Sequence, residues 1–155
     1  MVANLLAGAK FEIVYIDTTG TALSTDSTSL NLVDMAGYDS LCYVGFVDTL
    51  TAVGDVGLEA WEASSSGGTY YQGDTDYAGA FKITTTTGND ASLIVLDVQK
   101  PLRRWHSVRV HRATQPSRVN VIAIKYNAKE YPVANTTDNY MVSASATVIS
   151  PTSSM

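Results

Sequence analysis

The stretch QKPLRRWHSVRVHRATQ, residues 99–115, gathers much of the side-chain chemistry this chain offers. It holds Lys100, Arg103, Arg104, Arg109 and Arg112, both histidines (His106 and His111) and Trp105. Three uses fit such a set: nucleic-acid binding, an active site, or docking onto an acidic partner. A metal site is disfavoured at once. His106 and His111 are five residues apart, and on a strand an odd separation sends side chains to opposite faces. Their neighbours are Arg and Trp, which repel cations or do not ligate them. Nucleophilic catalysis has no better footing. There is no G-x-S-x-G elbow, and Cys42 has no recognisable His context. The carboxylate pairs Asp74/Asp76 and Glu59/Glu62 sit in turn-like or solvent-facing contexts, and SSSGG precedes neither a helix nor a Lys. No cofactor is expected, and the chain reads as a non-enzyme.

The elements that carry these residues are strands. Apolar and β-branched runs recur at 11–17, 27–35, 40–49, 55–63, 79–85, 92–98, 106–113, 118–126 and 141–149, with turn chemistries such as DMAGYD, VGD and TTGND between them. Short strands at this spacing predict an all-β fold, an antiparallel β-sandwich of jelly-roll type, because parallel pairs need long crossovers. In 106–113, Ser107, Arg109 and His111 should face one way. His106, Val108, Val110 and Arg112 should face the other, half-buried. In 55–63, Val56, Leu58 and Ala60 alternate against Glu59 and Trp61. In 27–35, Leu30 and Leu32 stand apart from Ser29, Asn31 and Val33. The run SLCYVGFVDT is apolar on both faces, as expected of a strand covered on both sides, with Cys42 a small buried hydrophobe. The expected organisation is an N-terminal arm over 1–10, the sandwich over 11–126, and a C-terminal extension over 127–155 with a last strand. That strand can pair with its own sheet or with a neighbouring subunit.

Composition bounds the function. The 155 residues carry a net charge of −5, which argues against a general affinity for nucleic acid or anionic membranes. Residues 1–99 hold two lysines against thirteen Asp and Glu, a net −11, and residues 100–155 hold a net +6. Such asymmetry signals either a binding patch or basic strands lying beside acidic ones in the same fold. A single cysteine excludes an intrachain disulfide. The N-terminal MVANLLAGAKFEIV lacks a basic leader, and no run reaches the roughly 18 apolar residues of a membrane span. A soluble product of a reducing cytoplasm is expected.

Several segments resemble the capsid decoration, or cement, proteins of tailed bacteriophages. LDVQKPLRR, WHSVRVHRAT and VIAIKYNAKEYPV follow one another in the family's order. Upstream, LVDMAGYDSLCYVGFVDTLTA is similar to its opening strand, and downstream ATVISPTSS is similar to its tail. The resemblance covers most of 30–154 and departs most at SSSGGTYYQGD. It implies a jelly-roll-like sandwich on the outer surface of the virion head, made in the host cytoplasm. Its partners would be the major capsid protein and itself, as a homo-oligomer, trimer favoured over dimer, with no direct nucleic-acid or membrane contact. On that reading Lys100, Arg103, Arg104 and Arg109 face carboxylates of a sister subunit or of the capsid protein. Trp105 is either the interface anchor or part of the sandwich core. The alternatives are a glycan- or host-binding head protein using Tyr70, Tyr71 and the loop around them, or a head-completion or tail component.

Overall fold

A computed structural model describes residues 8–17, 31–50, 55–68, 71–72, 82–85, 92–113 and 117–130. Among the described residues there are nine strands: β1 (Lys10–Tyr15), β2 (Val33–Asp34), β3 (Tyr38–Leu50), β4 (Asp55–Ala63), β5 (Tyr71–Gln72), β6 (Lys82–Thr85), β7 (Ser92–Gln99), β8 (Trp105–Ala113) and β9 (Ser117–Ala128). They form two antiparallel sheets. Sheet A runs β1-β9-β3-β7, and sheet B runs β2-β8-β4-β5 with β6 also paired to β4. The fold is thus all-β, a two-sheet sandwich, as the period-2 patterning predicts.

The core lies between the sheets. Sheet A contributes Leu41, Tyr43, Val47, Ile94, Leu96, Val98, Val119, Val121 and Ala123. Sheet B contributes Val33, Val56, Leu58, Ala60, Val108 and Val110. At Gly45 the two sheets approach closely, since an added Cβ would stand 3.2 Å from Leu58 Cδ1. Glycine is what that approach requires. The turn DMAGYD is closed by Tyr38 N–H donating to Met35 O (3.0 Å), with Gly37 at φ +86. A third-position residue at positive φ is the type II turn geometry that favours glycine.

Four expectations are corrected. In 31–35 it is Val33 that is fully buried, while Leu32 is exposed. Only Val33–Asp34 is a strand there, and its pairing with Trp105–His106 turns Val33 inward. Glu59 and Glu62 are not solvent-facing: Glu59 is 6% exposed and Glu62 half-buried. β3 is not covered on both sides, and Cys42 is half-buried on its outer side. The Arg112 face of β8 is fully rather than half buried. The terminal segments 1–7 and 131–155, including the expected last strand, lie outside the described residues.

Candidate functional site

The basic stretch divides over a loop and a strand. Residues 100–104 link β7 to β8 across the two sheets. Lys100 takes φ +52, and its N–H donates to Asp39 O (3.0 Å). At the loop tip Leu102 is 88% exposed, flanked by the exposed Lys100 and Arg103. Arg104 folds back. Its Nε donates to Asp34 Oδ1 (2.8 Å) and its Nη2 to Asp34 Oδ2 (2.7 Å), a bidentate fork. The guanidinium also lies 5.3 Å from the centre of the half-buried Trp105 ring. The fork to Arg104 holds the Asp34 carboxyl below its usual range, helped by the Ala36 N–H and the Lys125 charge and opposed by partial burial.

The strand residues likewise find carboxylates within the chain. Because β8 and β4 are paired with Arg109 opposite Glu59, these two share a face, with Arg109 Nε 3.7 Å from Glu59 Oε2. Arg109 also packs 5.8 Å from the Trp61 ring, and His111 Nδ1 stands 3.9 Å from Glu59 Oε1. Arg103 Nε is 3.7 Å from Glu62 Oε1. On the inner face, His106 Nε2 donates to Arg103 O (3.0 Å). A carbonyl only accepts, so Nε2 carries the proton and Nδ1 is the bare ring nitrogen, buried with no hydrogen-bond partner. Burial holds the His106 pKa below its ordinary value. Arg112 is enclosed, donating from Nη2 to the Tyr15 hydroxyl (3.3 Å) and lying 3.8 Å from Asp17 Oδ2, with neither charged side chain exposed.

A second network joins the sheets beside this loop. Lys125 Nζ contacts Glu12 Oε1 (2.7 Å), donates to Asp34 O (2.8 Å), and sits 5.0 Å from the Tyr38 ring centre. Asp34 therefore ties the basic loop to β9. Arg103, Arg104 and Arg109 each meet a carboxylate of their own chain, the basic-beside-acidic arrangement that the charge asymmetry allowed. Lys100 makes no ion pair among the described residues. Tyr71 lies in β5 opposite Glu62, and Tyr70 lies outside the described residues. Among the described residues no group of three His, Cys, Asp or Glu could hold a metal ion, and no helix is long and apolar enough to cross a membrane.

The surface that site reasoning missed is the outer face of sheet A. Strand register aligns Val95, Val44, Ile122 and Ile13 in one row across β7, β3, β9 and β1. The row on one side is Asp97, Cys42, Ile124 and Phe11. On the other side Leu93, Phe46 and Asn120 align. Leu93 is 60% exposed, Val95 51% and Phe46 44%, and the remaining apolar members are half-buried. Among the described residues the charges on this face stand at its two ends. Arg118 pairs with Asp48 (3.2 Å) at one end. At the other, Asp97 accepts from the Tyr126 hydroxyl (2.6 Å) and from Gln99 Nε2 (3.1 Å). A contiguous apolar face of this kind marks an interaction site on a folded protein. Its signal in the sequence was the double-sided apolarity of β3 and of VNVIAIKY.

No protein-family model matches the chain, and no curated protein does. Among solved structures, one described as Bacillus endospore appendages that form a novel family of disulfide-linked pili is similar at 19% identity. The match covers 83% of this chain and 96% of that one, with a TM-score of 0.40.

Proposed function

We propose that this chain is a structural virion protein, a decoration protein on the outside of a phage head that assembles with copies of itself and with the major capsid protein. The observation that carries this reading is the outer face of sheet A. Four strands expose a largely apolar surface, while among the described residues most acidic and basic side chains pair with one another. A rigid sandwich with one such face fits an assembly component, because the area left in water becomes stabilisation only when covered. The resemblance of the segments from LVDMAGYDSLCYVGFVDTLTA to ATVISPTSS to cement proteins supports the head surface as the place of assembly. The tip at Lys100–Arg103, with Leu102 projecting between cations, serves as the contact toward the capsid protein. No catalytic step and no cofactor belong to this role.

The test is quantitative mass spectrometry of virions made from the genome that encodes the chain, with heat release of packaged DNA measured with and without the protein. Hundreds of copies per particle and earlier DNA release in its absence are expected, as icosahedral symmetry multiplies a surface subunit. About a dozen copies, the number of a connector or tail part, would overturn the reading.

A further inference from the structure

We infer that the outer face of sheet A binds a second copy of itself, face to face, about a two-fold axis that runs across the strands between the Val44 and Phe46 rows. The inference rests on the proposal above that this face is an assembly surface, and it names the partner. Three observations select that partner.

The first is the placement of charge. Tyr126 is on β9 and Asp97 on β7, on opposite sides of β3. Their 2.6 Å hydrogen bond can close only above β3, so the Asp97 carboxylate is drawn over that strand. At the other end Asp48 belongs to β3 itself and draws the Arg118 guanidinium toward it. The Arg118–Asp48 pair and the Asp97 carboxylate therefore lie over the same strand, toward opposite ends of the face, and Arg118 is the cation among them. A two-fold axis across the strands exchanges the ends and sets Arg118 of each copy beside Asp97 of the other. An axis along the strands would leave Arg118 at the Arg118 end of its mate.

The second is shape. The face is mostly Val, Ile, Phe and Leu on paired strands, with Asp97, Cys42 and Asn120 the other members of its aligned rows and no Lys or Pro among them. Such faces stack with aligned strands at about 10 Å, the arrangement the chain already uses between its own two sheets. β3 is apolar on both sides because it is the middle of a stack, with sheet B beneath and a second sheet A above.

The third is area. With strands about 4.8 Å apart and about 3.4 Å per residue, the four strands between the Arg118 and Tyr126 rows have a footprint on the order of 500 Å² in projection. Two such footprints make on the order of 1,000 Å² in total, the lower bound of a specific interface. The acidic groups at both ends disfavour an anionic lipid or nucleic-acid surface as occupant. The same patch used by both copies closes a pair, where the resemblance implies a trimer.

Sedimentation equilibrium of the full chain should give a dimer of about twice the 16.6 kDa protomer mass. Val95→Asp should weaken the dimer by at least about a hundredfold while leaving circular dichroism unchanged, and leaving the urea midpoint unchanged when both proteins are dilute enough to be monomeric, since Val95 is half exposed in one copy. Arg118→Glu and Asp97→Lys should each weaken it roughly tenfold. An equimolar mixture of these two variants should recover the dimer, because both cross-pairs regain opposite charge. A monomer, a trimer, association indifferent to Val95→Asp, or a mixture no better than the single variants would overturn the inference. The two proposals fail separately. A monomer that still coats heads removes the two-fold pair and keeps decoration, and a dimer of this kind absent from virions does the reverse.

Discussion

Sheets A and B treat their outer faces in opposite ways. On β4 and β8 the outward residues are Glu59, Trp61, Arg109 and His111, and they gather around one another, Arg109 and His111 beside the Glu59 carboxylate and Arg109 over the Trp61 ring. On β1, β9, β3 and β7 the outward residues are mostly Phe, Ile, Val and Leu, with Leu93, Val95 and Phe46 exposed to water. The contrast shows how misleading conspicuous charge can be. A cation paired with its own chain's carboxylate offers a partner less than a bare one does, and an exposed pair of this kind contributes at most about 1 kcal/mol. An apolar row exposed on a sheet keeps its whole transfer free energy in reserve, about 25 cal/mol per Å² until something covers it.

That contrast can be broken or sharpened by substitution, starting where the effect is largest. Arg112→Leu removes the guanidinium that lies 3.8 Å from the fully buried Asp17 carboxylate. Urea unfolding should show a loss of about 3–5 kcal/mol, and an unchanged midpoint would mean that the buried pair contributes nothing. Gly45→Val forces methyl groups into Leu58 where the sheets approach, and should cost about 1–3 kcal/mol by the same measurement.

Acid titration addresses the buried imidazole. Folding favours neutral His106, so its folded pKa lies below 6.5. Stability is full above pH 6.5 and falls as the pH drops from there toward the folded value, because the unfolded chain then binds the proton more readily. Asp34 acts lower, its contribution being present above pH 3.8 and lost as the pH falls further. Unfolding midpoints measured at closely spaced pH values should show both steps, and His106→Leu should remove the upper one alone. Arg104→Gln should return the Asp34 pKa toward its ordinary range, read by carboxyl NMR, with a smaller effect on the unfolding midpoint than Arg112→Leu. Smallest of all, Leu93→Ser should change unfolding of the isolated protomer by no more than about 0.5 kcal/mol. A larger loss would show that Leu93 is already covered within one chain.

Much of this architecture is legible in local pattern. Val108 and Val110 alternate with Ser107 and Arg109, and their faces in β8 follow from that alternation alone. Val56, Leu58 and Ala60 likewise turn inward. The turn at DMAGYD announces itself by its Asp and Gly. The weaker segment 27–35 misled because its apolar residues fall on both faces, and pairing with Trp105–His106, a long-range event, chose Val33. The acidic partners of the basic stretch were invisible for a similar reason. Asp34 meets Arg104 across 70 residues of sequence, and Arg112 of β8 reaches Asp17, just past β1.

What the sequence by itself determined is the element type, the antiparallel character and the inward face of most strands, since side-chain alternation is a property of the extended backbone. Only the tertiary structure decided that consecutive strands such as β7, β8 and β9 switch between sheets. It also decided which carboxylate each arginine meets, and which of the two apolar faces of β3 is covered. Alternation shows that a face is apolar, but coverage depends on which sheet is stacked against it. In one protomer, sheet B lies against one face of sheet A, so the other stays open to a partner.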